Sequence, residues 1–131
     1  MRDGTGHAFD SSAGFDLPDG SNRSPDAAWI SKARLDQLTP EQKDEYFEIC
    51  PDFVAEIRSK SDRLPQLQAK MQGYMANGAE LSWLIDPLER RVSIYRRGQP
   101  VLVLEAPATV GGDPVLPGFV VEPGTIWDPD L

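Results

Sequence analysis

The sequence predicts a mixed α/β (α+β) domain organised around a central sheet. Strand-like and helix-like segments alternate through the first half, and strand patterns then follow one another, an order that favours a sheet with helices packed against it. The length of 131 residues suits one domain, 1–131, with a single core. The 12 Pro and 11 Gly cut the chain into short elements.

Near the N-terminus, apolar pieces at Ala8–Phe9 and Phe15–Leu17 read as strand ends around turns such as "PDG". "PDAAWI", residues 25–30, is a strand candidate with Ala27 and Trp29 on one face. "TPEQKDEYFEIC" predicts a helix: Thr39 as N-cap, Pro40 in the first turn, Gln42 completing a capping box, and Tyr46, Phe47 and Cys50 as its apolar stripe. Pro51 ends it. "PDFVAEIRSK" follows as a strand, and "SDRLPQLQAKMQGYMANG" as a second helix, with Leu64, Leu67, Met71, Tyr74 and Met75 at helical spacing and Gly78 as a left-handed cap. Strands are predicted in "ELSWLIDP", "RRVSIYRRG" and "PVLVLE", with a hairpin at Arg97-Gly98-Gln99. The tail from Ala108 reads as loop with short extended pieces.

Composition narrows the function. A net charge of −8 counts against a broad basic nucleic-acid surface but allows a local basic cleft. One Cys and one His exclude a disulfide framework and make a zinc site untenable, leaving Cys50 as a small buried hydrophobe. No apolar run reaches membrane-spanning length and "MRDGTGHAFD" is no signal peptide, so a cytoplasmic location with no membrane partner is expected.

The chemistry concentrates in "PDFVAEIRSK". Phe53, Ala55 and Ile57 fall on one face of the strand, and Asp52, Val54, Glu56 and Arg58 on the other. A solvated face is the ordinary explanation, yet Glu is disfavoured in strands. Positions four apart lie roughly 13 Å apart along a strand, so Asp52 and Glu56 cannot both reach one small cation. A second ligand must come from a neighbouring strand, and "PDAAWI" offers Asp26. Arg58, roughly 7 Å from Glu56 on the same face, can act on the same substrate. Lys70, a turn before Tyr74 on the second helix, either lays its stem on the core or reaches over the sheet toward the acids.

"RSPDAAWI" with "CPDFVAEIRSKSDRLPQLQAKMQGYMANGAELSWLIDP" resembles the Uma family of restriction endonucleases, in the PD-(D/E)xK nuclease superfamily, over about Gly6 to Trp127. The ordered set of Pro-Asp strands, Glu-x-cation step, "SDR", "K-x-x-x-Y" helix and "WLIDP" is far more specific than any one of these motifs. The resemblance implies a restriction-endonuclease-like mixed sheet flanked by helices. It assigns Asp26 and Glu56 to the metal, Arg58 to the signature cation and Lys70 with Tyr74 to the helix motif, leaving Asp52 secondary. Position 58 departs from the signature Lys, and Arg cannot serve as a base. The family's N-terminal helix and early strand have no counterpart in the pattern, so exposed apolar sheet, and with it a homodimer or a partner chain, is expected.

The function expected is a Mg²⁺- or Mn²⁺-dependent DNA endonuclease. A nuclease fold kept for protein association or nucleic-acid binding is the alternative. Convergence of the Asp26 and Glu56 carboxylates, with Lys70 close by, discriminates between them.

Overall fold

The computed structural model describes residues 6–43 and 46–127; whatever the sequence suggests for residues 1–5, 44–45 and 128–131 lies outside it. Strand β1 (Gly6–Asp10) is followed by a small ribbon of β2 (Phe15–Asp16) and β3 (Asn22–Arg23), then β4 (Ala27–Ser31) and a one-turn helix α1 (Lys32–Leu35). Next come β5 (Phe53–Ile57), helix α2 (Leu64–Ala76), and the strands β6 (Leu81–Asp86), β7 (Arg91–Arg96) and β8 (Leu102–Glu105). The C-terminal segment adds a ribbon of β9 (Val110–Gly111) and β10 (Val120–Val121), and a last turn α3 (Gly124–Trp127). The main sheet has the order β1-β4-β5-β6-β7-β8. Only β5 and β6 pair in parallel within it; the other neighbours are antiparallel. A parallel pair needs a crossover connection, and α2 supplies it.

Alternation along the strands feeds a separate core on each side of this sheet. Ala28, Ile30, Val54, Leu84 and Tyr95 meet Leu67, Met71 and Tyr74 of α2 on one side. Trp29, Phe53, Ala55, Leu81, Trp83, Ile85, Val92 and Ile94 form the other. Phe53 meets the Trp83 ring edge-on at 5.0 Å, and Phe119 stacks on Trp83 at 6.0 Å. A sheet buried on both faces explains why the expected polar face of β5 is dry: its residues are buried up to Ile57, which stands 42% exposed at the strand's end instead of lying in the core.

One expected helix needs correction. The helix over "TPEQKDEYFEIC" is only a single 3-10 turn, Glu41–Lys43, and Asp44 and Glu45 lie outside the described residues. The capping box does form, Gln42 Oε1 accepting from Thr39 N–H at 2.8 Å and Thr39 Oγ1 from Gln42 N–H at 3.3 Å. Phe47, however, bridges to Phe15 beside β2, its N–H donating to Gly14 O at 3.0 Å and its carbonyl accepting from Asp16 N–H at 2.8 Å. That extended pairing takes backbone groups a helix would need. Helix α2 covers one face of the sheet, and the short α3 brings Ile126 and Trp127 against the other. The tail is loop with short extended pieces, as expected, and its buried Val110 and Leu116 join Phe119 in sealing the other face.

Helix α2 stops as expected, Asn77 closing the last turn and Gly78 adopting φ 118°, where only glycine is unstrained. Cys50 is 1% exposed beneath it and donates to Tyr74 O at 3.5 Å. Burial pushes its thiol up to about 11, which keeps it protonated and inert at neutral pH. No helix among the described residues is long and apolar enough to cross a membrane.

Candidate active site

Pairing of β4 with β5 sets the site. Ala27 lies opposite Ala55, which brings Asp26 level with Glu56 one step beyond the start of β4. The Asp26 N–H points at Glu56 Oε1, 3.4 Å away, and Asp26 Oδ2 accepts from Ile57 N–H at 2.7 Å. The two acids are cross-strand neighbours, with Asp26 exposed and Glu56 only 5% exposed.

Glu56 shares the face of Val54, under α2. Lys70 and Tyr74 sit four apart on that helix and therefore project together. Both reach the same oxygen: Tyr74 Oη donates to Glu56 Oε2 at 2.7 Å, and Lys70 Nζ lies 2.9 Å from it. A buried carboxylate is costly unless paired and hydrogen-bonded, and these two groups supply both. Burial, reinforced by the Glu56 charge, drives the Tyr74 phenol far above its ordinary range, so it stays a donor. The Lys70 side chain is 28% exposed, so its ammonium spans the space between Glu56 and solvent.

Arg58 takes another partner. Its Nη1 lies 2.9 Å from Asp86 Oδ2, and among the described residues its buried Nε has no acceptor. Asp86, 4% exposed at the end of β6, also accepts from Leu88 N–H at 3.0 Å and Glu89 N–H at 3.2 Å. The parallel register, with Ile57 beside Ile85, puts Arg58 and Asp86 at the same end of the strands as Glu56. Asp86 is a site residue that the motifs alone do not single out; its one signal in the sequence is an acid ending the apolar strand of "WLIDP".

Asp52 lies at the other end of β5 and is spent there. Its Oδ2 accepts from Ser31 N–H at 2.8 Å, and its Oδ1 meets Arg34 Nη1 at 2.9 Å, which ties α1 to the sheet. The structure therefore gathers Asp26, Glu56, Lys70 and Tyr74, with Arg58 and Asp86 adjoining, and separates Asp52.

Among the described residues no three His, Cys, Asp or Glu cluster as a ready cage. Mg²⁺ does not require one, because it commonly keeps several waters and takes one or two carboxylates plus substrate phosphate. Asp26 Oδ1 accepts no hydrogen bond among the described residues, and Glu56 Oε1 has only the long contact at 3.4 Å. One oxygen of each acid is thus available to a hard cation, and the residues fit.

Residues 1–124 match a family model described as "Putative restriction endonuclease". The fold is similar to the crystal structure of a putative nuclease belonging to DUF820 from Anabaena variabilis ATCC 29413, with a TM-score of 0.79 and 21% identity over 94% of this chain and 68% of that one. At that identity the likeness speaks for the restriction-endonuclease-like fold. No curated protein matches the chain.

Proposed function

This chain belongs to the Uma2 family, and on that premise we propose that it is a Mg²⁺- or Mn²⁺-dependent DNA endonuclease hydrolysing phosphodiester bonds. The observation that carries the reading is the buried Glu56 carboxylate, level with Asp26 across the strand pair and bonded to Lys70 at 2.9 Å. A strand that only needed a solvated face has no reason to bury an acid under a helix.

In this mechanism Asp26 and Glu56 would hold the ion through their available oxygens. A bound Mg²⁺ supplies Lewis acidity toward the phosphate and a lowered pKa for its water, so no histidine base is needed. Tyr74 fixes the Glu56 carboxylate and keeps its second oxygen occupied. Lys70 orients that carboxylate and, being partly exposed, offers its ammonium to the phosphoryl oxygens as charge builds on them. Arg58 donates to phosphate rather than accepting a proton, through the guanidinium Nη2 that Asp86 does not occupy.

Thermal melting tests the metal site. A bound ion at a hundredfold excess over Kd adds roughly 2.7 kcal/mol to unfolding, a rise in Tm on the order of 10 °C for a domain of this size. Mg²⁺ and Mn²⁺ are both expected to produce it in the wild type. Asp26→Asn should remove most of the shift, whereas Asp52→Asn should lower the metal-free Tm and leave the shift intact. An unmoved wild-type curve, or a shift abolished by Asp52→Asn, speaks for the non-catalytic alternative.

Association is the second part of the proposal. Val101, Leu102 and Val103 are 40%, 54% and 49% exposed at β8, an edge of the main sheet. An open apolar edge favours pairing with a second copy into a homodimer, or with a partner chain. Sedimentation velocity should show a dimer that Val103→Lys dissociates; a monodisperse wild-type monomer removes the homodimer.

A further inference from the structure

Charge along the chain is far from uniform. Residues 58–70 carry Arg58, Lys60, Arg63 and Lys70 against one acid, Asp62, a local net of +3 in a chain of −8. The fold adds Arg23 to this group from β3, across an open cleft of about 410 Å³ lined by Arg23, Asp62, Arg63, Gln66 and Lys70. Lys70 is the wall shared with the candidate active site, since its Nζ is on Glu56.

The two arginines are not consumed inside the molecule. Neither Arg23 nor Arg63 makes an ion pair or side-chain hydrogen bond among the described residues, whereas Arg34, Arg58, Arg91 and Arg97 each hold a carboxylate. Arg63 occupies the N-cap position of α2, where a guanidinium, having donors only, cannot cap, and its side chain stands exposed. Asp62, the acid in the cleft, is engaged by Ser59, accepting from its N–H at 2.8 Å and its hydroxyl at 3.0 Å. Asp62 makes no ion pair with either guanidinium group among the described residues, and the one carboxylate that Arg23 influences is the exposed Asp19, which it helps hold low. Planar guanidinium groups recognise phosphate with two parallel donors, which suits a backbone that repeats its anions at regular intervals.

We infer that Arg23 and Arg63 form a phosphate clamp beside Lys70, which holds the DNA backbone next to the phosphate presented to Asp26 and Glu56. The inference rests on the nuclease reading and extends it: the clamp sets where the strand lies without taking part in bond cleavage. A clamp on one side of the acids also gives the strand a direction, running from the β3 ribbon past the start of α2 toward Glu56.

Binding to a short fluorescent DNA duplex without divalent metal, titrated with salt and read by anisotropy, tests it. Each phosphate contact contributes about 0.9 to the slope of log K against log[salt], so Arg23→Ala/Arg63→Ala should flatten the slope by roughly 1.8. Affinity should fall at least on the order of 10-fold at low salt, with Tm unchanged. Arg91→Ala, which removes an exposed cation paired with Glu105, should leave the slope as it is. A slope unaltered in the double variant, an equal change in Arg91→Ala, or a wild type that does not bind the duplex overturns the clamp. Metal-dependent cleavage is measured separately. Cleavage with an unaltered slope removes the clamp and leaves the nuclease; the expected slope change with no cleavage by wild type does the reverse.

Discussion

Glu56→Gln is expected to abolish metal-dependent nicking of plasmid DNA while leaving a cooperatively melting domain. The amide has the size of the carboxylate, and its oxygen can still accept from Tyr74, which now donates at 2.7 Å. It lacks the charge that holds a divalent cation. Loss of one electrostatic group from a preorganised site lowers rates by about 10²–10³-fold, and loss of a metal ligand should reach at least that range. The stability cost is smaller. Lys70 loses its anion, but a side chain 28% exposed can turn its ammonium to water, so about 1–2 kcal/mol is expected. Circular dichroism melting alongside the nicking assay separates the two effects. Nicking at wild-type rates in this variant would place the chemistry away from Glu56.

Arg58→Met is expected to unfold the protein more readily than any change at Glu56. Asp86 is 4% exposed, and removing its guanidinium partner leaves a buried carboxylate with only backbone N–H donors. Breaking a buried pair by deleting one member costs about 3–5 kcal/mol, and the lower end applies here because those two N–H groups remain. Arg58→Met/Asp86→Asn should recover much of the loss, since no buried charge is then left unpaired. Chemical denaturation of the single and double variants gives the coupling energy. If the single variant melts like wild type, Arg58 is not a structural partner of Asp86. A double variant restored in stability yet silent in cleavage would assign Arg58 a part in the chemistry as well.

How much of this was legible in the sequence depended on whether a local pattern decided the outcome. Strands β4 and β5 and helix α2 were readable because their apolar spacing feeds a core directly, and Asp26 with Glu56 followed from distance along one strand. The helix expected at 39–50 failed because Phe47 joins Phe9 and Phe15, with ring centroids 5.0 and 5.8 Å away, and those partners come from a distant part of the chain. Its N-terminal capping signal was present and was overruled. The Arg58–Asp86 pair depends on the parallel register of β5 with β6, which no periodicity encodes. Asp52 looked like a member of the acidic face, but its partner Arg34 sits on a four-residue helix that the pattern did not reveal.

Phe119, stacked on Trp83, and Leu116 with Val110 close the face of the sheet that carries no long helix. The order of synthesis then matters. The α2 side can assemble once β7 has been made, because Tyr95 is the last residue of its buried cluster. Trp83, Phe53 and Ile94 wait longer, their cover being encoded some 15 to 25 residues further on. During translation the nascent chain therefore passes through a stage with one finished core and one bare aromatic face, which is the interval in which it is most exposed to chaperones and to neighbouring chains.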